Sequence, residues 1–450
     1  MNQNRPIRVA LLGAGSVGSQ VARILLENAD ELAARVGAPL LLTGIAVRNV
    51  DAKRDVDLPK ELFTDDAERL ILGSDIVIEL MGGIDPAKGL ISLALSTGAD
   101  VVTANKALIA AHGPELFDQA RRVGAQLTYE AAVAGAIPII RPLRDSLAGD
   151  RVERILGIVN GTTNFILDRM HTRGDSLEEA LRIATELGYA EADPTADIGG
   201  YDAQQKAAIL ASIAFHTEVP VELVHREGIT EITIEQIERA KAAGFVVKLL
   251  AICERVTTSD GVEGISARVY PALVDAQHPL ASVHGGNNAV FVQAQAAGDL
   301  MFYGAGAGGV ETASAVLGDL VSSARRRVNG GPGLGESTHA DLPVLEVGEI
   351  TTRYQIILEV HDRPGVLAEI AKVFSDFGVS VSTLEQRSAG AHDGATASAG
   401  HADGESEGGA TLVIGTHAAT ERALSALAEA LAAHEASRRV TGVLRVEGAL

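Results

Sequence analysis

Asp202 and Lys206 stand four residues apart at the head of an alanine-rich apolar stretch. On a helix that spacing puts both side chains on one face, where they can pair. The acidic loop Glu191-Ala192-Asp193-Pro194-Thr195-Ala196-Asp197 feeds into this start. A lysine so held can hand a proton to a forming alkoxide or take one from an alcohol. The helix dipole should depress its pKa, and Asp202 should raise it. A salt-bridged helix start without chemistry is the plainer alternative. A second amine, Lys106, closes Thr103-Ala104-Asn105-Lys106 after an apolar strand. Open α/β sheets bind ligands beyond the carboxyl ends of their strands, although a surface lysine would fit the same pattern.

Gly13-Ala14-Gly15-Ser16-Val17-Gly18 follows the first apolar strand and opens a helix. Missing side chains let the chain turn tightly and bring backbone N–H groups at a helix N-terminus against a pyrophosphate. An ordinary glycine-rich turn is the alternative. NAD sites usually set Asp or Glu at the end of the second strand for the ribose hydroxyls. Here the chain reads Ala46-Val47-Arg48-Asn49, with Lys53 and Arg54 nearby. A guanidinium suits a 2′-phosphate, so NADP(H) is expected ahead of NAD(H); otherwise Arg48 is a solvated charge. A second glycine run, 304–309, precedes another helix. Its Gly306 and Gly308 could bring amides against cofactor or substrate, or merely connect two elements.

These groups need a frame. Near-continuous apolar runs at 7–12, 40–47, 76–80, 101–104 and 126–133 read as strands buried on both faces of a parallel sheet. With helical stretches such as 17–36 and 86–97 between them, they predict a Rossmann-type doubly wound α/β unit over 1–150. A second, α+β unit is expected over 151–328. It starts with a strand at 154–159 and the turn Asn160-Gly161-Thr162-Thr163. Ser176 and Glu179 form a capping box for a helix closed by Gly188. A loop over 189–200 then leads to a helix at 201–215, and a helix at 310–328 is expected to pack back on the first unit. The glycine-bearing 329–336 cannot hold a regular element, and the linker is taken as 329–350. Residues 351–450 read strand 353–360, helix 364–377, strands 379–387 and 410–416, helix 420–434 and strand 440–447. That is the ferredoxin-like βαββαβ plan. Residues 388–409, which contain no large apolar side chain, predict a disordered hairpin tip. In Asp362-Arg363-Pro364-Gly365, Pro364 suits a first helical turn. Amides there could hold a small amino acid's carboxylate, or the turn is structural only.

Composition narrows the function. The 450 residues imply about three domains at ~150 residues each. A hydrophobic share of 46% excludes a wholly disordered chain. A net charge of −21 argues against nucleic acid or an anionic membrane as partner. The single Cys253 excludes intrachain disulfides and thiolate clusters, and its apolar setting predicts an inert thiol. The polar start lacks a leader pattern and the apolar runs are short, so a cytoplasmic location is expected.

Several segments together resemble homoserine dehydrogenase over nearly the whole chain. They are 13–18, 103–106, Tyr129-Glu130-Ala131-Ala132-Val133-Ala134-Gly135-Ala136-Ile137-Pro138, GIVNGTTN at 157–164, 188–206 and 304–320. DRPGVLA at 362–368 resembles an ACT domain. The resemblance implies interconversion of L-homoserine and L-aspartate 4-semialdehyde with a nicotinamide cofactor, in the biosynthesis of threonine, methionine and isoleucine. It implies Lys206 as proton donor, with Lys106 as second lysine at substrate and cofactor. Glu191 and Asp202 would bind the substrate ammonium, with Gly188 and Tyr189 beside the substrate and Gly161, Gly306 and Gly308 beside the cofactor. A monovalent cation, sodium or potassium, would sit on main-chain oxygens around Glu130, Val133, Gly135 and Ile137, although a strand-end bend explains those residues equally well. A homodimer or homotetramer built through 151–328 and threonine as effector of 351–450 are also implied. Ala196 stands where some relatives carry a second Asp, and 388–409 is a long insertion. Three other readings compete. An acylating semialdehyde dehydrogenase needs a Cys nucleophile, for which only Cys253 is available. A non-catalytic sensor would bind cofactor without turnover. A DNA-binding regulator would need a basic stripe that the chain lacks.

Overall fold

The computed structural model describes residues 5–258, 260–331, 335–388 and 409–448. The hairpin tip expected within 388–409 therefore lies almost wholly outside the described residues, as do 332–334 of the linker.

Six parallel strands make the first sheet: β1 (Ile7–Leu12), β2 (Leu40–Ala46), β3 (Phe63–Thr64), β4 (Ile76–Glu79), β5 (Asp100–Thr103) and β6 (Leu127–Thr128). Their order is β3-β2-β1-β4-β5-β6, the doubly wound order whose winding reverses between β1 and β4. All of β4 and β5 is buried, which is why they read as near-continuous apolar runs, broken only by the buried Glu79, Asp100 and Thr103. Helices α1 (Ser16–Glu27), α2 (Ala29–Val36), α3 (Ala67–Leu72), α4 (Ala87–Ser96) and α5 (Lys106–Val123) cover the sheet. Two expectations need correction. The stretch 17–36 is two helices, because Asn28 leaves helical geometry at φ −109° and ψ 24°. The strand expected at 126–133 stops after Thr128. The chain turns there because the buried Glu130 carboxylate accepts from the amides of Ile139 (2.6 Å), Ile140 (2.8 Å) and Arg141 (2.9 Å), and from Arg141 Nε (3.0 Å).

The second sheet runs β12-β11-β7-β9-β10-β18-β14-β16-β15, with β8 also paired to β10. Its strands are β7 (Val152–Ile158), β8 (His225–Arg226), β9 (Phe245–Thr257), β10 (Glu263–Asp275), β11 (Asn287–Ala294), β12 (Gly298–Ala305), β14 (Tyr354–His361), β15 (Val381–Ser388), β16 (Gly409–Thr416) and β18 (Ser437–Glu447). A small ribbon pairs β13 (Thr351–Thr352) with β17 (Ala419–Thr420). Against the sheet and its loops lie α6 (Gly161–Arg173), α7 (Leu177–Glu186), α8 (Thr195–Ile198), α9 (Tyr201–Phe215) and α10 (Ile234–Ala242).

α11 (Gly309–Asn329) returns to the first sheet. A Cβ added at Gly309 would lie 2.9 Å from the Ser16 carbonyl oxygen. Farther along, Arg325 Nε donates to the Arg35 carbonyl (2.8 Å), and Arg327 Nε meets the buried Asp100 at 2.9 Å. The final βαββαβ unit packs α12 (Val366–Asp376) and α13 (Glu421–Ala433) on β18-β14-β16-β15. α12 begins at Val366, after Gly365 at φ +94°, so Pro364 stands in the preceding turn rather than in the helix. No helix of the described residues is long and apolar enough to cross a membrane.

Candidate active site

β5 and α9 bring the two lysines together. After β5, Thr103 Oγ1 donates to Glu79 Oε2 (2.6 Å), and Asn105 caps α5 by accepting from the Leu108 amide (3.1 Å). Asn105 also donates to the Gly83 carbonyl (2.6 Å), tying the β4 loop to the start of α5. Lys106 is therefore the first residue of a pinned helix, beyond the carboxyl end of β5. α9 begins after Gly200 at φ +82° and is buried around most of its surface. Its small alanines let it pack between α5 and the second sheet. Asp202 and Lys206 share a face of α9 as their spacing requires.

Asp202 joins three donors from three elements. Lys106 Nζ pairs with its Oδ1, and Lys206 Nζ lies 2.7 Å from its Oδ2. Asn160 Nδ2 reaches the same Oδ2 at 2.8 Å. Lys206 Nζ donates further to the Val159 carbonyl (2.7 Å). The Lys206 side chain is 11% exposed and that of Lys106 is 39% exposed, so one amine is enclosed while the other is part-exposed. Burial lowers the Lys206 pKa from the ordinary lysine value, against the pull of Asp202 and with the help of Lys106. Desolvation, rather than the helix dipole invoked from sequence, is the largest influence. Burial pushes the Asp202 carboxyl up, but the two ammonium groups outweigh it and hold Asp202 ionised. This arrangement can deliver a proton from an enclosed ammonium and stabilise a developing oxyanion with a second one.

The other predicted residues fall into groups. Gly13 sits at φ +102°, and a Cβ at Gly18 would lie 2.2 Å from the Gly13 carbonyl oxygen. β1 and α1 thus approach as closely as the fingerprint requires, with Ala14, Gly15, Ser16 and Val17 between them and open space at Gly15. These features fit a dinucleotide cradle. Arg48 is exposed beyond β2, whereas Arg54 is committed to the carbonyls of Asn49 (2.9 Å) and Ala52 (2.8 Å). Gly161 opens α6, and an added Cβ there would lie 2.6 Å from the Gly286 carbonyl oxygen. Gly306 packs against Gly135, while Gly308 precedes α11. Gly188 turns the chain so that the Tyr189 carbonyl accepts from Thr162 Oγ1 (2.7 Å) and its ring stacks on Phe165 at 4.6 Å. Glu191 is exposed in the following loop and does not join the lysine cluster. Glu130, Val133, Gly135 and Ile137 are all buried, with φ near +59° at both Ala134 and Gly135.

Four residues were given no role from the sequence: Glu79, Asn105, Asn160 and Asn288. Glu79 and Asn105 position Lys106. Asn288 is fully buried beside Gly306, with neither amide atom hydrogen bonded among the described residues. Cys253 is buried, its thiol is pushed up to about 12 by burial, and its Sγ faces the Ala207 carbonyl at 3.4 Å. Such a thiol is no nucleophile at neutral pH.

Comparison with known proteins agrees with this geometry. Residues 13–130 match the family model of the homoserine dehydrogenase NAD binding domain, 138–321 match homoserine dehydrogenase, and 354–436 match the ACT domain. The chain is 51% identical over 443 residues to homoserine dehydrogenase of Corynebacterium glutamicum, covering 98% of this chain and 96% of that one. It is 53% identical over 446 residues to that of Mycobacterium tuberculosis, covering 99% and 98%. A crystal structure of homoserine dehydrogenase from Thiobacillus denitrificans superposes with a TM-score of 0.87 at 36% identity, covering 98% of both chains. A hyperthermophilic archaeal homoserine dehydrogenase in complex with NADPH superposes with a TM-score of 0.59 at 28% identity, covering 73% of this chain and 99% of that one. With its Rossmann-type sheet, its paired lysines and a C-terminal ACT domain, the chain belongs to the homoserine dehydrogenase family of oxidoreductases acting on a CH–OH group.

Proposed function

We propose that the enzyme interconverts L-homoserine and L-aspartate 4-semialdehyde with NADP(H), using Lys206 as general acid and base. The observation that carries this reading is the Asp202 carboxylate held between Lys106 and Lys206. When bound, the dinucleotide supplies hydride to the aldehyde carbon or accepts it from the alcohol. As charge grows on the substrate oxygen, Lys206 gives its Nζ proton to that oxygen and Lys106 stabilises the charge. In the reverse direction neutral Lys206 takes the hydroxyl proton. Asp202, Glu191 and the 188–189 turn orient the substrate, the ammonium meeting the carboxylates. Asp202 already serves three donors, so Glu191 must swing in to share that task. Lys206→Ala should lower turnover at least about 100-fold, the loss of a general acid; near-wild-type turnover would end the assignment.

The finer parts of the proposal have separate supports. Exposed Arg48 beyond β2 favours NADP(H) over NAD(H), as does the NADPH complex of the archaeal relative. Arg48→Ala should raise KM for NADP(H) at least about tenfold and leave that for NAD(H) unchanged, as loss of a charge-assisted phosphate contact predicts. Val133, Gly135 and Ile137 are buried residues whose carbonyls receive no hydrogen bond among the described residues. Buried carbonyls need a partner, which a sodium or potassium ion would supply; equal rates in potassium, sodium and choline chloride would remove the ion. Threonine is the proposed effector at the 362–365 turn, and the outer edges of β12 and β15, which pair with no strand among the described residues, suit assembly into a dimer or tetramer. Turnover and equilibrium binding of the full-length enzyme with and without threonine test the effector. The reading places the enzyme in the cytoplasm, within threonine, methionine and isoleucine synthesis.

A further inference from the structure

We propose that Asn160 is a positioning residue for proton transfer, its amide holding Asp202 between the lysines and setting how firmly Lys206 keeps its proton. The inference rests on Lys206 being the proton donor. Asn160 is 5% exposed and caps α6. Its Oδ1 accepts from the Thr163 amide (2.8 Å) and from Thr163 Oγ1 (2.9 Å). With the oxygen engaged on donors, the amide nitrogen must face the other way. Its two hydrogens go to Asp202 Oδ2 (2.8 Å) and Asp197 Oδ1 (2.7 Å). The reverse orientation would aim an amide oxygen at two carboxylates. One side chain thus bridges acids from α8 and α9 that would otherwise repel.

The consequence for Lys206 is electrostatic. Asp202 Oδ2 divides its lone pairs between Lys206 and Asn160, and a neutral donor on that oxygen weakens its hold on the ammonium proton. Val159, the residue before Asn160, supplies the other acceptor for Lys206 Nζ. The segment 159–160 therefore controls both the amine and its counter-ion. The other charged groups facing Lys206 are Lys106 at the start of α5 and Asp197 on α8.

Asn160→Asp separates positioning from capping, because Asp caps a helix about as well as Asn. It sets a third carboxylate against Asp202 and Asp197, so it should melt below wild type, and turnover should fall at least about 100-fold. The added carboxylate raises the Lys206 pKa, so the alkaline limb of aldehyde reduction should move to higher pH. Asn160→Ser keeps a capping oxygen but cannot reach the two acids, and it should move the limb in the same direction. Wild-type turnover and an unmoved limb in either folded variant would overturn the proposal and leave Asn160 as a cap. Lys206→Ala is measured alongside. If it keeps wild-type turnover, the fault lies with the proton donor rather than with Asn160.

Discussion

Asp202 touches Lys106, Lys206 and Asn160 alike, and its removal has a signed consequence. On the proposed mechanism Lys206 enters aldehyde reduction protonated, so the rate should fall as pH rises through its pKa. In alcohol oxidation it enters neutral, so the rate should rise through the same value. Burial places that value below the ordinary 10.5. Asp202→Asn removes the charge that opposes the lowering, so both limbs should move further toward acid, with turnover reduced at least about 100-fold. Full pH profiles of kcat in both directions test this, and a shift toward alkali would contradict it. Cys253 supplies a contrasting residue-scale expectation. Its buried thiol, held near 12, carries negligible thiolate at neutral pH. Iodoacetamide should leave the folded enzyme fully active, and rapid inactivation through Cys253 would show that the site opens.

At the scale of elements, the fingerprint is a packing requirement as much as a binding one. A Cβ at Gly18 would lie 2.2 Å from the Gly13 carbonyl oxygen, so Gly18→Val must push α1 away from the end of β1. The expected outcome is a rise of at least about tenfold in KM for NADP(H), from loss of the backbone amides that meet the pyrophosphate, measured by steady-state kinetics. An unchanged KM would show that α1 can shift without cost. These elements were legible because their causes are local. Strands buried on both faces spell apolar runs, and a close turn spells glycine. The strand expected at 126–133 failed because Glu130 recruits amides nine to eleven residues ahead, a demand that apolarity does not encode. Asn160 and Asn105 were passed over for a related reason. An amide declares its role only through its partners, and the Asn160 partner Asp202 lies 42 residues away. The i,i+4 pair of Asp202 and Lys206 was readable, whereas Lys106, 96 residues from Asp202, needed the fold or the family resemblance to join it.

Across the whole molecule, the ACT unit is fused to the catalytic sheet rather than tethered by its linker. β18 runs parallel to β10 with Leu273 opposite Val446, a junction that the βαββαβ pattern by itself did not foretell because each half satisfies its own periodicity. Charges seal it. Buried Glu447 accepts from the Tyr270 hydroxyl at 2.6 Å and also pairs with Arg154. Arg268 lies fully buried beside them, its guanidinium 2.9 Å from Glu254. Glu447→Ala should therefore cost ~1–3 kcal/mol, because the buried Tyr270 hydroxyl loses its acceptor while Arg154 and Arg268 are left to share Glu254, read as a lower denaturation midpoint in urea; a change under ~0.5 kcal/mol would mean that water replaces the lost partner. The same seam reaches the active site. Arg445 on β18 meets Glu227 at 2.8 Å and Glu421 at 2.9 Å. The neighbouring Arg226 stacks on Tyr201, the first residue of α9, at 3.7 Å. Burial pushes the Glu227 carboxyl up, but hydrogen bonds from His225 and Arg445 outweigh it and bring it down from 4.5 to about 2. A carboxyl lowered on folding adds stability above its unfolded value and loses it as pH falls toward the folded one. Glu227→Gln should thus melt below wild type at pH 6, and the gap should narrow as pH falls from 4.5 to about 2, the span set by those two values. A gap that stays constant over that range would show that the Arg445–Glu227 pair does not hold the ACT unit to the helix that carries Lys206.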